Sequence, residues 1–256
     1  ELTGMRSARL HQRLPLFGVV TDFAAHSLWY CRNVDAYYVA TEEARRQLAR
    51  QGHPLDRTLC TGIPVLPPFA TAIAPRVARS RLGLRPDLPA VLLLNGGHGI
   101  GSALGILRAW IANPPPGQLI VVTGHNPRLE KKLRAAASQT PLPILVRGFV
   151  DNVHDWMDAA DLIVSKSGGL TMAEALAKGR PVMIMDPIPG QEQRNGEYLL
   201  ETGASTRAFD PAEAVWKIGD LLRDPVRLAT LAANARRLGR PHAAGNILDD
   251  VLSRLH

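Results

Sequence analysis

The residues best suited to chemistry lie at 161–195, DLIVSKSGGLTMAEALAKGRPVMIMDPIPGQEQRN. An apolar run at 162–164 turns through Ser165, Lys166, Ser167, Gly168 and Gly169. A helix is then expected from Leu170 and Thr171 to a stop at Gly179, a residue type common just past a helix C-terminus. Strand, glycine turn and helix N-terminus would aim free backbone N–H groups and a positive dipole end at one point, which suits an anion. Glu174, one turn into the helix, could reach polar groups hanging from that anion. The alternative is that the glycines serve close packing alone. A second apolar strand at 181–185 leads to the loop carrying Gln191 and Glu192, with Asn195 just beyond.

A second glycine turn, Asn95-Gly96-Gly97-His98-Gly99-Ile100-Gly101, follows the first strand of the same region. Its spacing is not that of the dinucleotide fingerprint, and no acidic residue closes the next strand. It also lacks the Gly-Lys-Ser/Thr of a P-loop. A backbone cradle for a diphosphate remains open to it. Gly148-Phe149-Val150 follows the third strand, where a backbone edge could hold a flat base, or Phe149 could be core. His26, His98 and His154 are acid–base or phosphate candidates, each with a structural alternative. No Asp-x-Asp pair and no His/carboxylate set has metal-ligand spacing, so no metal ligand is assigned. A leaving group's charge would then fall to helix dipoles and to Lys166 or nearby arginines. No Gly-x-Ser-x-Gly elbow supports a hydrolase triad.

These residues need a scaffold, and the pattern supplies one. Six short apolar strands near 90–95, 118–123, 142–146, 161–164, 181–185 and 205–208 alternate with helices near 101–112, 126–138, 152–159, 170–178 and 192–202. That alternation predicts an α/β fold with a doubly wound parallel sheet, whose ligands sit at the strands' carboxyl ends. Upstream, strands at 16–21, 36–40 and 58–61 and a helix capped by Thr41 form a smaller unit. A proline-rich stretch at 64–75 separates the two. Helices at 211–223, 225–238 and 241–255 follow. The expected division is 1–72, 73–240 and a terminal helix at 241–256 returning to the first unit.

In a chain of 256 residues, 46% hydrophobic content against 21% charged excludes disorder and allows real cores. Two cysteines form no disulfide framework, which favours a reduced, intracellular setting. No apolar run reaches the ~18–20 residues of a membrane span, and no signal-peptide pattern is present. A formal net charge of +7 implies an anionic partner, unless it marks only a solvated face. Arginines cluster at Arg6, Arg9 and Arg13, at Arg76, Arg79, Arg81 and Arg85, and at Arg236, Arg237 and Arg240. No aromatic residues interleave with them, so nucleic acid is not the expected partner.

The order of motifs — glycine turn, GFV, SKSGGLTMAEA, PIPGQEQRN — resembles the C-terminal half of two-domain glycosyltransferases using UDP-sugars, above all the diacylglycerol glycosyltransferases. Val20-Thr21-Asp22-Phe23 with His26 and Trp29, Val39-Ala40-Thr41-Glu42, Gly62-Ile63-Pro64 and Arg240-Pro241-His242-Ala243-Ala244 extend the resemblance over nearly the whole chain. It implies two facing Rossmann-like domains of the GT-B type, the N-terminal one shorter than the family's by about half. The missing portion is the part that holds the family's usual general-base histidine. It further implies an inverting, metal-independent hexosyl transfer from UDP-glucose or UDP-galactose, without a cofactor, to diacylglycerol or a related lipid. The enzyme would act as a peripheral protein on the anionic inner face of the cell membrane. A UDP-binding module without catalysis, a fragment, another lipid or polyprenol acceptor and a UDP-sugar epimerase are the alternatives. Uracil would lie by Phe149 and Val150, diphosphate on Gly168, Gly169, Leu170 and Thr171 with Lys166 near, and ribose on Glu174. Gly96, Gly97, His98 and Gly99 would face the phosphates, and Gln191, Glu192 and Asn195 the sugar. Asp22 and His26 would stand on the acceptor side as the catalytic candidates, either able to take the acceptor hydroxyl's proton.

Overall fold

The computed structural model describes residues 14–94, 102–186 and 188–255. Two parallel sheets organise them. The smaller has three strands in the order β1 (Phe17–Val19), β2 (Ala36–Val39) and β3 (Thr58–Cys60). Helix α1 (Glu42–Arg50) crosses from β2 to β3, and Thr41 caps it by accepting from the Ala44 N–H. Burial in this unit gathers around Val39, Ala44 and Leu48. β2 is buried throughout, whereas β1 is only partly covered.

Between the sheets, Pro75 opens a short helix, α2 (Pro75–Arg81), that the sequence reading does not anticipate. The larger sheet then begins with β4 (Ala90–Leu94) and α3 (Ala103–Ala112). β5 (Gln118–Val122), α4 (Pro127–Ala137), β6 (Ile144–Arg147) and α5 (Val153–Ala159) continue the alternation. β7 (Leu162–Ser165), α6 (Gly169–Ala177), β8 (Val182–Ile184), α7 (Gln191–Glu201) and β9 (Ser205–Arg207) complete it. The strand order is β6-β5-β4-β7-β8-β9, all parallel. From β4 the chain winds one way to β6 and then returns past β4 to β7. The direction reverses between those two strands, so the crevice beyond the carboxyl ends of β4 and β7 is the ligand position of such a sheet.

The central strands are apolar on both faces, because helices cover both. One face packs around Leu92, Ile120, Ile163 and Met172, the other around Leu93, Leu107, Trp110 and Met183. Helices α8 (Pro211–Arg223) and α9 (Pro225–Leu238) follow. The chain then crosses back as α10 (Ala243–Leu255), which touches the small sheet. There the Tyr38 hydroxyl donates to Asp250 Oδ2 at 2.7 Å.

Buried charge fastens the proline-rich connection. Lys178 and Asp158 pair at 2.7 Å with side chains 1% and 0% exposed, and Lys178 also donates to the Thr71 carbonyl. One expectation is corrected here. Arg79, counted in a basic surface cluster, is buried: it donates to the Ala159 carbonyl at 2.8 Å and pairs with Asp161.

Candidate active site between the sheets

The α/β expectation, with a doubly wound parallel sheet, holds, and the β7–α6 turn sits at its crevice. Helix α6 starts at Gly169 with Gly168 as N-cap, and no side chain caps it. Its first-turn N–H groups are therefore left for a ligand or water. Glycine at 169 has a specific cause: a Cβ there would collide with the Thr21 carbonyl oxygen and come within 2.9 Å of Asp22 Oδ1. The helix N-terminus thus meets the loop that leaves the small sheet. Leu170 is exposed and Thr171 half-buried beside it.

Glu174 is half-buried and has no hydrogen-bond or ion-pair partner among the described residues. Burial raises its carboxyl from 4.5 to about 7. An unpaired carboxylate one turn from an open helix N-terminus is costly to bury unless a ligand supplies donors.

The loop after β8 folds over this turn. Gly190, with φ +100, begins α7. Glu192 takes the Lys166 ammonium at 2.5 Å and the Ile188 N–H at 3.0 Å, while Ser167 Oγ donates to the Glu192 carbonyl at 2.6 Å. Lys166 is thus engaged by Glu192 and is not a free cation. Gln191 keeps a buried Oε1 without a partner among the described residues. Asn195 is fully buried and bonds to Asp22, Phe23 and Ser167. Asp186, at φ 47, accepts from the Ser102 N–H and hydroxyl at 3.2 and 2.9 Å.

The structure therefore brings Asp22, Lys166, Gly168, Gly169, Glu192 and Asn195 together. His26 caps a short turn instead: its Nδ1 accepts from the Leu28 N–H at 3.1 Å. Its ring borders a cavity of about 270 Å³ shared with Ser27, Gln47, Arg50 and Arg194. Phe149 is not core: it is 61% exposed and stacks on His125, 4.2 Å between centroids and 15° between planes. Val150 packs against the main core. Gly96, Gly97, His98 and Gly99 lie outside the described residues. Sequence reasoning missed the partnership of Ser167 with the loop after β8 and the stack of Phe23 on Tyr198, centroids 5.3 Å apart. Neither follows a spacing rule, since each joins segments remote in the chain.

Residues 2–65 match the family described as monogalactosyldiacylglycerol (MGDG) synthase, and residues 107–224 match glycosyl transferases group 1. The processive diacylglycerol beta-glucosyltransferase of Bacillus mycoides is 31% identical over 243 residues, covering 95% of this chain. The chain is thus similar to the diacylglycerol glycosyltransferases. A Bacillus anthracis diacylglycerol beta-glucosyltransferase is 30% identical over the same share. The chain spans 63% of the length of these curated diacylglycerol glucosyltransferases.

Solved structures share the fold at lower identity. The Anabaena protein HepE in complex with UDP has a TM-score of 0.61 and 17% identity, covering 93% of this chain and 72% of that one. MurG of Acinetobacter baumannii gives 0.66 and 16%, covering 94% and 67%. The UDP-GlcNAc 2-epimerase of Neisseria meningitidis, bound to UDP-GlcNAc, gives 0.66 and 17%, covering 93% and 70%. The GT-B arrangement expected of the diacylglycerol glycosyltransferases is thus the arrangement observed.

Proposed function

We propose that the chain supplies the donor side, and part of the acceptor side, of a hexosyl transfer from a UDP-sugar to diacylglycerol or a related membrane glycolipid. Glu174 carries the reading. It is an unpaired carboxylate raised to about 7 by burial, beside the uncapped N-terminus of α6 at the sheet's switch point. Such a pair suits a diphosphate on the N–H groups and a ribose hydroxyl donating to the carboxylate. Uracil is placed at the edge by Phe149 and Val150, and the hexose under Gln191 and Glu192.

In this reading the lipid hydroxyl attacks the sugar's anomeric carbon from the face opposite UDP. One C–O bond forms as the C–O bond to phosphate breaks, which inverts the centre, and no metal is required. The α6 N-terminus stabilises the departing diphosphate. The hydroxyl's proton passes to Asp22. His26 suits the task less: with Nδ1 accepting from a backbone N–H, its neutral ring carries the proton on Nε2 and donates there. The comparisons support this reading through diacylglycerol-acting relatives and UDP complexes of fold neighbours.

Calorimetry with UDP, UDP-glucose and UDP-galactose, paired with a turnover assay on diacylglycerol vesicles, tests it. UDP binding with glycolipid formation is expected. Binding without turnover favours the second reading, a donor-binding module, which the 63% coverage of the relatives keeps in play. Absence of UDP binding defeats both.

A further inference from the structure

Asn195 does something other than greet a sugar. Its side chain is 0% exposed. Oδ1 accepts from the Phe23 N–H at 2.8 Å, and Nδ2 donates to Asp22 Oδ1 at 2.7 Å and to the Ser167 carbonyl at 3.1 Å. A carboxamide nitrogen has two donors, and both are spent on protein. A sugar hydroxyl could accept from Asn195 only if one of these bonds broke. The three partners come from two places: Asp22 and Phe23 from the loop after β1, and Ser167 from the turn that forms the anion seat.

We propose that Asn195 is a positioning residue, which fixes the Asp22 carboxylate to the anion seat and couples the seat's occupancy to the placement of Asp22. The proposal rests on the UDP-sugar reading above. Two independent features agree with it. Gly169 leaves room for the Thr21 carbonyl and Asp22 directly on α6, and Phe23 lies flat on Tyr198, one turn beyond Asn195 on α7. Asp22 Oδ1 is held by the amide, whereas Oδ2 has no hydrogen-bond partner among the described residues. One oxygen is anchored and the other is left for an acceptor proton.

The test is a double-mutant cycle in the full chain, with Asp22→Asn, Asn195→Asp and the exchanged pair Asp22→Asn/Asn195→Asp. In the exchanged pair the amide and carboxylate trade places and the hydrogen bond between them survives. Thermal unfolding, UDP calorimetry and side-chain amide resonances of labelled asparagine are read on each chain. The exchange is expected to unfold at a higher temperature than Asn195→Asp and to recover UDP affinity to within about threefold. Turnover, where the parent has it, stays down about a hundredfold in kcat with the donor KM little changed. In the parent chain, saturating UDP is expected to move the Asn195 amide resonance.

Additive effects of the two single substitutions, or an Asn195 resonance indifferent to UDP that binds, would overturn the proposal. If Asn195→Asp does not fold, Asn195→Ser takes its corner of the cycle, with Asp22→Ala as its partner. A parent chain that fails to bind UDP defeats the functional reading instead, while the cycle still reports the Asp22–Asn195 coupling.

Discussion

A carboxyl without a partner sets the behaviour of the site. Glu174 is raised to about 7 by burial, so the folded chain keeps a proton there that the unfolded chain releases nearer 4.5. Between those values the native state binds more protons. This group's contribution to stability is therefore complete below about 4.5 and is lost as pH rises through about 7. Unfolding of Glu174→Gln followed from acid to mildly alkaline pH should show a flatter profile than the parent across that window. An unchanged profile would mean that Glu174 is not protonated in the fold. Glu174→Ala should weaken UDP binding about tenfold or more by calorimetry, because it removes the acceptor proposed for the ribose. Gly169→Ala tests steric fit: its methyl meets the Thr21 carbonyl, so the start of α6 or the loop after β1 must shift. A loss of about 1–3 kcal/mol in urea unfolding is expected, and a neutral result would show that the contact yields freely.

Among the elements, helices were the most legible, for local reasons. Asp210 and Asp224 each precede a proline and accept from the N–H three residues on, which fixes the starts of α8 and α9. The glycine turn and Glu174 were legible because strand, turn and helix lie together in sequence. Helix α2 was not, since its proline and arginines read as a connection and Asp161, the partner of its Arg79, lies 82 residues away. Asn195 was recognised as part of the site, but its protein partners Asp22 and Phe23 were not, because those bonds span 173 and 172 residues. Thr41 shows how a local cap serves a distant purpose. Its hydroxyl accepts from the Ala44 N–H and donates to the Phe23 carbonyl at 2.8 Å, tying α1 to the loop that carries Asp22. Thr41→Ala should cost about 1–2 kcal/mol in denaturant unfolding, and Thr41→Ser should restore most of it. Equal losses in both would point to the methyl group rather than the hydroxyl.

For the molecule as a whole, the joint beside the proline-rich connection rests on buried charge. Lys178→Ala leaves Asp158 buried with only Arg180, 4.0 Å away, as an ion-pair partner, so a loss of up to about 3–5 kcal/mol is expected by urea unfolding. A change below about 1 kcal/mol would mean that water replaces the ammonium. The formal net charge of +7 makes encounters with an anionic surface testable. Arg50 and Arg194 flank the cavity beside His26, and Leu28, next in the chain to Ser27, is 84% exposed. Co-sedimentation with anionic vesicles should exceed that with neutral ones and fall steeply with salt. Equal sedimentation with both would remove the membrane surface from the proposed partners. The hydrogen bond from Tyr38 to Asp250 carries one more consequence, in time rather than space. These residues are separated by 212 positions, so a growing chain makes β2 long before the helix that covers it. At about 5–20 residues per second, many seconds of synthesis part the two. The large sheet, whose contacts are more local, can assemble in that interval, and the small sheet with its share of the candidate site is completed afterwards.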